Sequence, residues 1–138
     1  MEITIFTAGV DFKEKPNDGK FRVQGKIYLD NGADIPRKIT VSLGLLPPET
    51  VMLTGRAKEG DKWEYKRSQN YEGRIKQIMI DWKNHRFDIR IDRADLEGIR
   101  NPLIINLKLG EELVEEIILM NEKKHHWDYK ARRSQSIF

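Results

Sequence analysis

The sequence has no cysteine. No disulfide, thiolate nucleophile or thiolate metal site can form, although the absence does not fix the compartment, since many secreted domains lack disulfides. No apolar run approaches the roughly 20 residues of a membrane-spanning helix, so membrane insertion is not expected. The amino terminus, Met1-Glu2-Ile3-Thr4-Ile5-Phe6, lacks a basic region followed by a long apolar core, the pattern of a signal peptide. Serine is scarce and no glycine-rich phosphate loop is present, which removes the common nucleophile and nucleotide motifs. There is no convincing internal repeat and no low-complexity segment. No residue set calls for a cofactor, and enzymatic activity is not expected.

Charge of one sign is also scarce over most of the chain. The formal net charge is +3. Residues 122–138 carry Lys123, Lys124, Lys130, Arg132 and Arg133 against Glu122 and Asp128, so the whole excess lies there. The rest balances to zero. This describes a neutral body with a basic tail rather than a nucleic-acid-seeking body.

What is abundant is period-two alternation. In the stretch 73–110, Ile78, Ile80 and Trp82 alternate with Met79, Asp81 and Lys83, and Phe87, Ile89 and Ile91 alternate with Asp88, Arg90 and Asp92. Alternation marks strands with one buried and one wet face. The Asn84-His85 pair between the runs predicts a two-residue hairpin turn, with Asn84 taking the positive φ. Similar runs fall at 2–8, 20–30 (Phe21, Val23, Gly25, Ile27), 38–44 (Ile39, Val41, Leu43), 49–56, 62–67 (Trp63, Tyr65), 102–109 and 113–120. Gly25 within its run suggests a bulge or a close packing partner. Residues 93–100 predict one short helical turn that inserts Leu96 and Ile99 into the core. The expected architecture is all-β: an antiparallel two-sheet sandwich of Greek-key or jelly-roll type, with about nine strands. The domain spans 1–121, and 122–138 forms an extended carboxy-terminal tail.

Three segments support a family resemblance. They are Lys20-Phe21-Arg22-Val23-Gln24-Gly25-Lys26, Ile39-Thr40-Val41-Ser42-Leu43-Gly44, and the run 95–110 from Asp95-Leu96 through Asn101-Pro102 to Leu109-Gly110. Over most of 2–120 the chain resembles a β-rich accessory module found in multidomain, often exported, bacterial proteins. The resemblance implies a structural role, a secreted or cell-surface location, and no catalytic residues. The chain departs from the module in having Gly110-Glu111-Glu112 where an acidic Gly-Asp-Asp turn is usual, and in its basic tail.

Each candidate chemistry competes with a plain structural reading. His126 and Asp128 share one side of an extended chain, with His125 on the other and His85 elsewhere. Two ligands fall short of a transition-metal site, so solvated tail residues are expected and no metal is assigned. Asp30, Asn31 and Asp34, with Asp11 and Asp18, offer oxygen ligands for calcium but are also ordinary turn formers. Asp81, Asp88 and Asp92 suggest paired acids for glycoside hydrolysis, but Arg86, Arg90 and Arg93 account for them as charge pairs on a wet sheet face. A glycan is a possible partner through aromatic stacking. Trp63, Tyr65 and Trp82 fall on apolar phases, which leaves Tyr71 as the exposed contact. Nucleic acid would use the basic tail, and is disfavoured by the neutral body. The favoured reading is a structural or interaction module. It forms a homo-oligomer or engages a protein partner through edge strands and through Trp127, Tyr129, Arg132, Arg133, Ile137 and Phe138 of the tail.

Overall fold

A computed structural model describes residues 1–13, 17–29, 37–55 and 62–131. Among the described residues twelve strands form two antiparallel sheets. They are β1 (Glu2–Asp11), β2 (Gly19–Tyr28), β3 (Lys38–Leu43), β4 (Glu49–Met52), β5 (Thr54–Gly55), β6 (Lys62–Lys66), β7 (Ile75–Asp81), β8 (Arg86–Ala94), β9 (Leu103–Leu109), β10 (Glu112–Ile118), β11 (Asn121–Glu122) and β12 (His126–Lys130). The large sheet runs β11-β12-β1-β2-β8-β7-β6-β5 and the small one β10-β9-β3-β4. The chain switches sheets at β2–β3, β4–β5, β8–β9 and β10–β11, and each switch carries the apolar phase from one inner face to the other.

The alternation builds the core. Phe21, Val23 and Ile27 of β2, Phe87, Ile89 and Ile91 of β8, and Ile78 and Ile80 of β7 are buried, as are Ile39, Val41 and Leu43 of β3 and Leu103, Ile105, Leu107 and Leu109 of β9. Trp63 is buried, and Trp82 packs on it edge to face at 5.3 Å. Glu49 of the small sheet accepts the backbone N–H groups of Arg74 and Ile75 at 2.7 and 3.2 Å, which ties the two sheets at one end.

No helix occurs among the described residues, so the expected helical turn at 93–100 does not form. Strand β8 instead continues to Ala94, and the chain then turns irregularly. Asp95 Oδ1 accepts the Glu97 N–H at 3.1 Å, and Gly98 takes φ +82°. The side chain of Asp95 and the left-handed Gly98 fix a turn where a helix would need a nucleus longer than this segment supplies. Leu96 is nonetheless buried and Ile99 packs against the core.

The count of about nine strands is also corrected to twelve. The run 49–56 divides at Leu53 into β4 and β5, in different sheets, and the segment expected to be an extended tail supplies β11 and β12. The β7–β8 connection is residues 82–85, because Asp81 pairs with Arg86. Asp81 accepts the N–H groups of Lys83 and Asn84 and the side-chain amide of Asn84, at 3.1, 3.2 and 2.8 Å. That side-chain turn replaces the two-residue hairpin, and His85, not Asn84, carries φ +54°.

Candidate interaction surfaces

One of the two outer strands of the small sheet, β10, is the first candidate. Strand β10 pairs with β9 on one side and, among the described residues, with no strand on the other. Its apolar residues occupy both parities. Ile118 is buried, whereas Leu113 and Ile117 face outward, 65% and 61% exposed, and Leu119 continues their phase at 73%. Ile117 sits directly opposite Ile104 of β9, itself 40% exposed. Glu115 shares the outward phase of Leu113 and Ile117, whereas Glu112 and Glu116 take the phase of Val114 and Ile118, and Glu112 accepts the Met1 amino group at 3.0 Å. Sequence reasoning placed 113–120 as a strand but missed this outer apolar face. The available signal was Leu113, Ile117 and Leu119 on one phase beside Val114, Ile118 and Met120 on the other, too many apolar positions for a strand buried on one side only.

The outer face of the large sheet is the second candidate. Outward residues of β2 are Lys20, Arg22, Gln24, Lys26 and Tyr28, and those of β8 are Arg86, Asp88, Arg90 and Asp92. Asp88 accepts Nε and Nη2 of Arg22 at 3.2 and 2.8 Å, with Arg90 Nη2 at 3.6 Å. Asp92 is held in a bidentate pair by Arg67, whose hydrogen bonds keep its carboxyl below the usual carboxylate range. Lys20, Lys26 and Arg86 form no ion pair among the described residues; Lys26 and Arg86 sit over the Phe6 ring at 5.7 and 4.9 Å. A depression of about 420 Å³ follows β1 where Gly9 presents no side chain, bordered by Lys20, Arg22, Lys76, Arg90 and His126 and by Asp11 and Asp92. The neutral body thus segregates its charge, basic across β2 and β8 and acidic along β10.

The tail residues fall into two groups. Trp127 and Tyr129 are half-buried in β12, which pairs with β1: Trp127 lies opposite Val10 and Tyr129 opposite Ala8. Trp127 also meets Phe12 edge to face at 5.0 Å. Arg132, Arg133, Ile137 and Phe138 lie outside the described residues. On the other face of β12, His126 Nδ1 stands 2.6 Å from Asp11 Oδ1 and its Nε2 3.8 Å from Asp128 Oδ2. His125 is exposed elsewhere, and His85 stacks on Tyr28 at 4.4 Å. Among the described residues no cluster of three or more His, Cys, Asp or Glu is arranged to hold a metal ion. Asp30, Asn31 and Asp34 lie outside the described residues, and Asp11 is engaged by His126 rather than grouped with Asp18.

Tyr71 is 44% exposed and shares a depression of about 430 Å³ with Tyr65, Met52 and Lys66. Burial, then the nearby Tyr71 and Glu49, pushes the Tyr65 phenol up. The two rings form no stacked pair. Asp81, Asp88 and Asp92 are each satisfied locally: Asp81 by its turn, which lowers its pKa chiefly through the Asn84 amide, and the other two by arginine. Among the described residues, no helix is long and apolar enough to cross a membrane.

No family model, no curated protein and no solved structure matches this chain. What the structure retains of the resemblance read from the motifs is the all-β sandwich, an architecture consistent with a structural or interaction-type domain.

Proposed function

We propose that this protein is a non-enzymatic interaction module that accepts an extended, lysine- or arginine-bearing segment of a protein partner as a further strand on β10. The observation that carries the reading is the open β10 edge, with Leu113 and Ile117 outward on either side of Glu115 and with Ile104 of β9 and Leu119 extending the same face. An added strand gains backbone hydrogen bonds from the edge, apolar contact from alternate side chains, and charge pairing with the glutamates. Self-pairing fits less well. An antiparallel pair of β10 strands related by a two-fold axis at Leu113, Val114, Glu115 or Glu116 sets glutamate opposite glutamate, which is destabilising. A glycan contact would rest on Tyr71 without a second ring stacked beside it.

The test is selection of displayed random extended peptides against the full chain and against Leu113→Lys/Ile117→Lys. The expected result is enrichment of alternating apolar and basic sequences by the wild type alone. Enrichment of nothing, or of sequences that bind both proteins equally, overturns the reading. A dimeric wild type in light scattering that the double variant converts to monomer would reassign the edge to self-association.

A further inference from the structure

We infer that the outer face of the large sheet is a second, independent binding surface, and that it takes single-stranded nucleic acid along β2. The argument begins with spacing. Lys20, Arg22 and Lys26 project from the same face of one extended strand, and Gln24 fills the remaining position. Alternate residues repeat every ~6.8 Å on a strand, of the order of the separation between successive phosphates in an extended single strand. Arg86 and Arg90 of the neighbouring β8 widen this track, since Lys26 lies opposite Arg86 and Arg22 opposite Arg90.

The cations are also available. Lys20, Lys26 and Arg86 have no carboxylate partner among the described residues, and Arg90 shares Asp88 with Arg22 at the longer distance. The Arg90 side chain is 42% exposed and borders the depression, so its guanidinium faces a phosphate placed there. Of the two acids bordering the depression, Asp92 is neutralised by its pair with Arg67, and Asp11 is turned to the His126 ring, with Oδ1 2.6 Å from its Nδ1. Gly9 leaves the floor of the depression open, since a Cβ there would meet only the His126 ring, at 3.5 Å.

The same face carries rings at one end of the track. Tyr28, 39% exposed, stacks on the exposed His85, and Phe6 lies beneath Lys26 and Arg86. Phosphate contacts from a basic strand combined with aromatic rings are the two elements of sequence-tolerant single-strand binding. This surface lies on the opposite sheet from β10, so the inference stands or falls separately from the peptide reading.

The experiment is fluorescence anisotropy with a labelled oligothymidylate of about 20 nucleotides. Saturable binding is expected, weakening roughly tenfold or more between about 50 and 200 mM salt. Lys20→Glu/Lys26→Glu should weaken it by roughly tenfold or more, and Lys20→Ala/Lys76→Ala, which disturbs no ring contact, by several-fold. Thermal melting confirms that each variant is folded. Arg132→Ser/Arg133→Ser should change binding by no more than about twofold. No saturable binding, loss in the tail variant with the sheet variants unaffected, or binding of heparin without the oligonucleotide each overturns the inference.

Discussion

Ile117 of β10 lies directly opposite Ile104 of β9 on the outer face of the small sheet. Cross-strand apolar pairs of this type normally look into a core. This one looks outward, with Leu113 and Leu119 on the same phase. Ile117→Lys should therefore leave folding stability within about 0.5 kcal/mol of wild type, because little buried area is lost. The same change should abolish capture of basic extended peptides. Chemical denaturation checks the first outcome and peptide binding the second. A loss of several kcal/mol would place Ile117 in the core rather than at a docking edge.

Arg67 and Asp92 give a pH prediction. Their side chains are 9% and 17% exposed, and Arg67 also donates to the Gly73 carbonyl at 3.1 Å. The pairing lowers the Asp92 pKa in the folded state, against an ordinary value of about 3.9. As pH falls, the unfolded chain takes up the proton first. The stability from this pair is therefore complete above about pH 5 and lost as pH drops through the folded value. Asp92→Asn should cost on the order of 3 kcal/mol at neutral pH, because it leaves a mostly buried guanidinium without its counter-charge. Its stability should also fall less steeply than that of wild type below about pH 4. The slope that remains belongs in part to Asp81, whose pKa is lowered by the Asn84 amide. Denaturant midpoints across pH for the two proteins decide the matter. Parallel curves would show that the pair carries no linkage.

The strands were legible because their alternation is driven by burial: Phe21, Val23 and Ile27, or Phe87, Ile89 and Ile91, have one face to hide. Connections were less legible, because single side chains decide them. Asp81 draws two backbone N–H groups into a turn and moves the positive φ to His85. Gly98 and Asp95 likewise settle the segment read as helical. In the tail, Trp127 and Tyr129 alternate with His126, Asp128 and Lys130, a strand pattern partly masked by its basic neighbours. Net charge was the least informative quantity, since summing Lys20, Arg22 and Lys26 with Glu112, Glu115 and Glu116 hides two oppositely charged surfaces.

Gly25 is the clearest steric prediction. It lies opposite Ile5, where the β1–β2 register shifts between Ile5 and Thr7. A Cβ on Gly25 would come within 2.0 Å of the Thr4 carbonyl oxygen and 3.0 Å of the Ile5 Cα. These are backbone atoms, which cannot swing aside as a side chain would. Gly25→Ala should lower stability by about 3 kcal/mol, the upper end of overpacking costs. Gly9→Ala, whose Cβ would make only an ordinary contact with the His126 ring at 3.5 Å, should cost less than about 1 kcal/mol and serves as the control. Equal melting temperatures for the two variants would show that the bulge adjusts to the methyl group.

Trp127 separates two roles for the carboxy-terminal segment. As an anchor that reaches another molecule, it would be dispensable for folding and required for assembly. In the structure it covers the β1 edge of its own sheet, opposite Val10 and against Phe12. The segment is further held by the Phe12 N–H on the His125 carbonyl at 3.0 Å and the Ala131 N–H on the Phe6 carbonyl at 2.8 Å. Trp127→Ala should therefore reduce stability by roughly 2 kcal/mol, less than a fully buried tryptophan because the ring is half-buried. The mass in solution should not change. Light scattering on size-exclusion fractions together with thermal melting distinguishes the roles. A lower melting temperature at constant mass fixes Trp127 as part of the fold. An unchanged melting temperature with loss of an oligomer would instead mean that β12 leaves β1 to join another subunit.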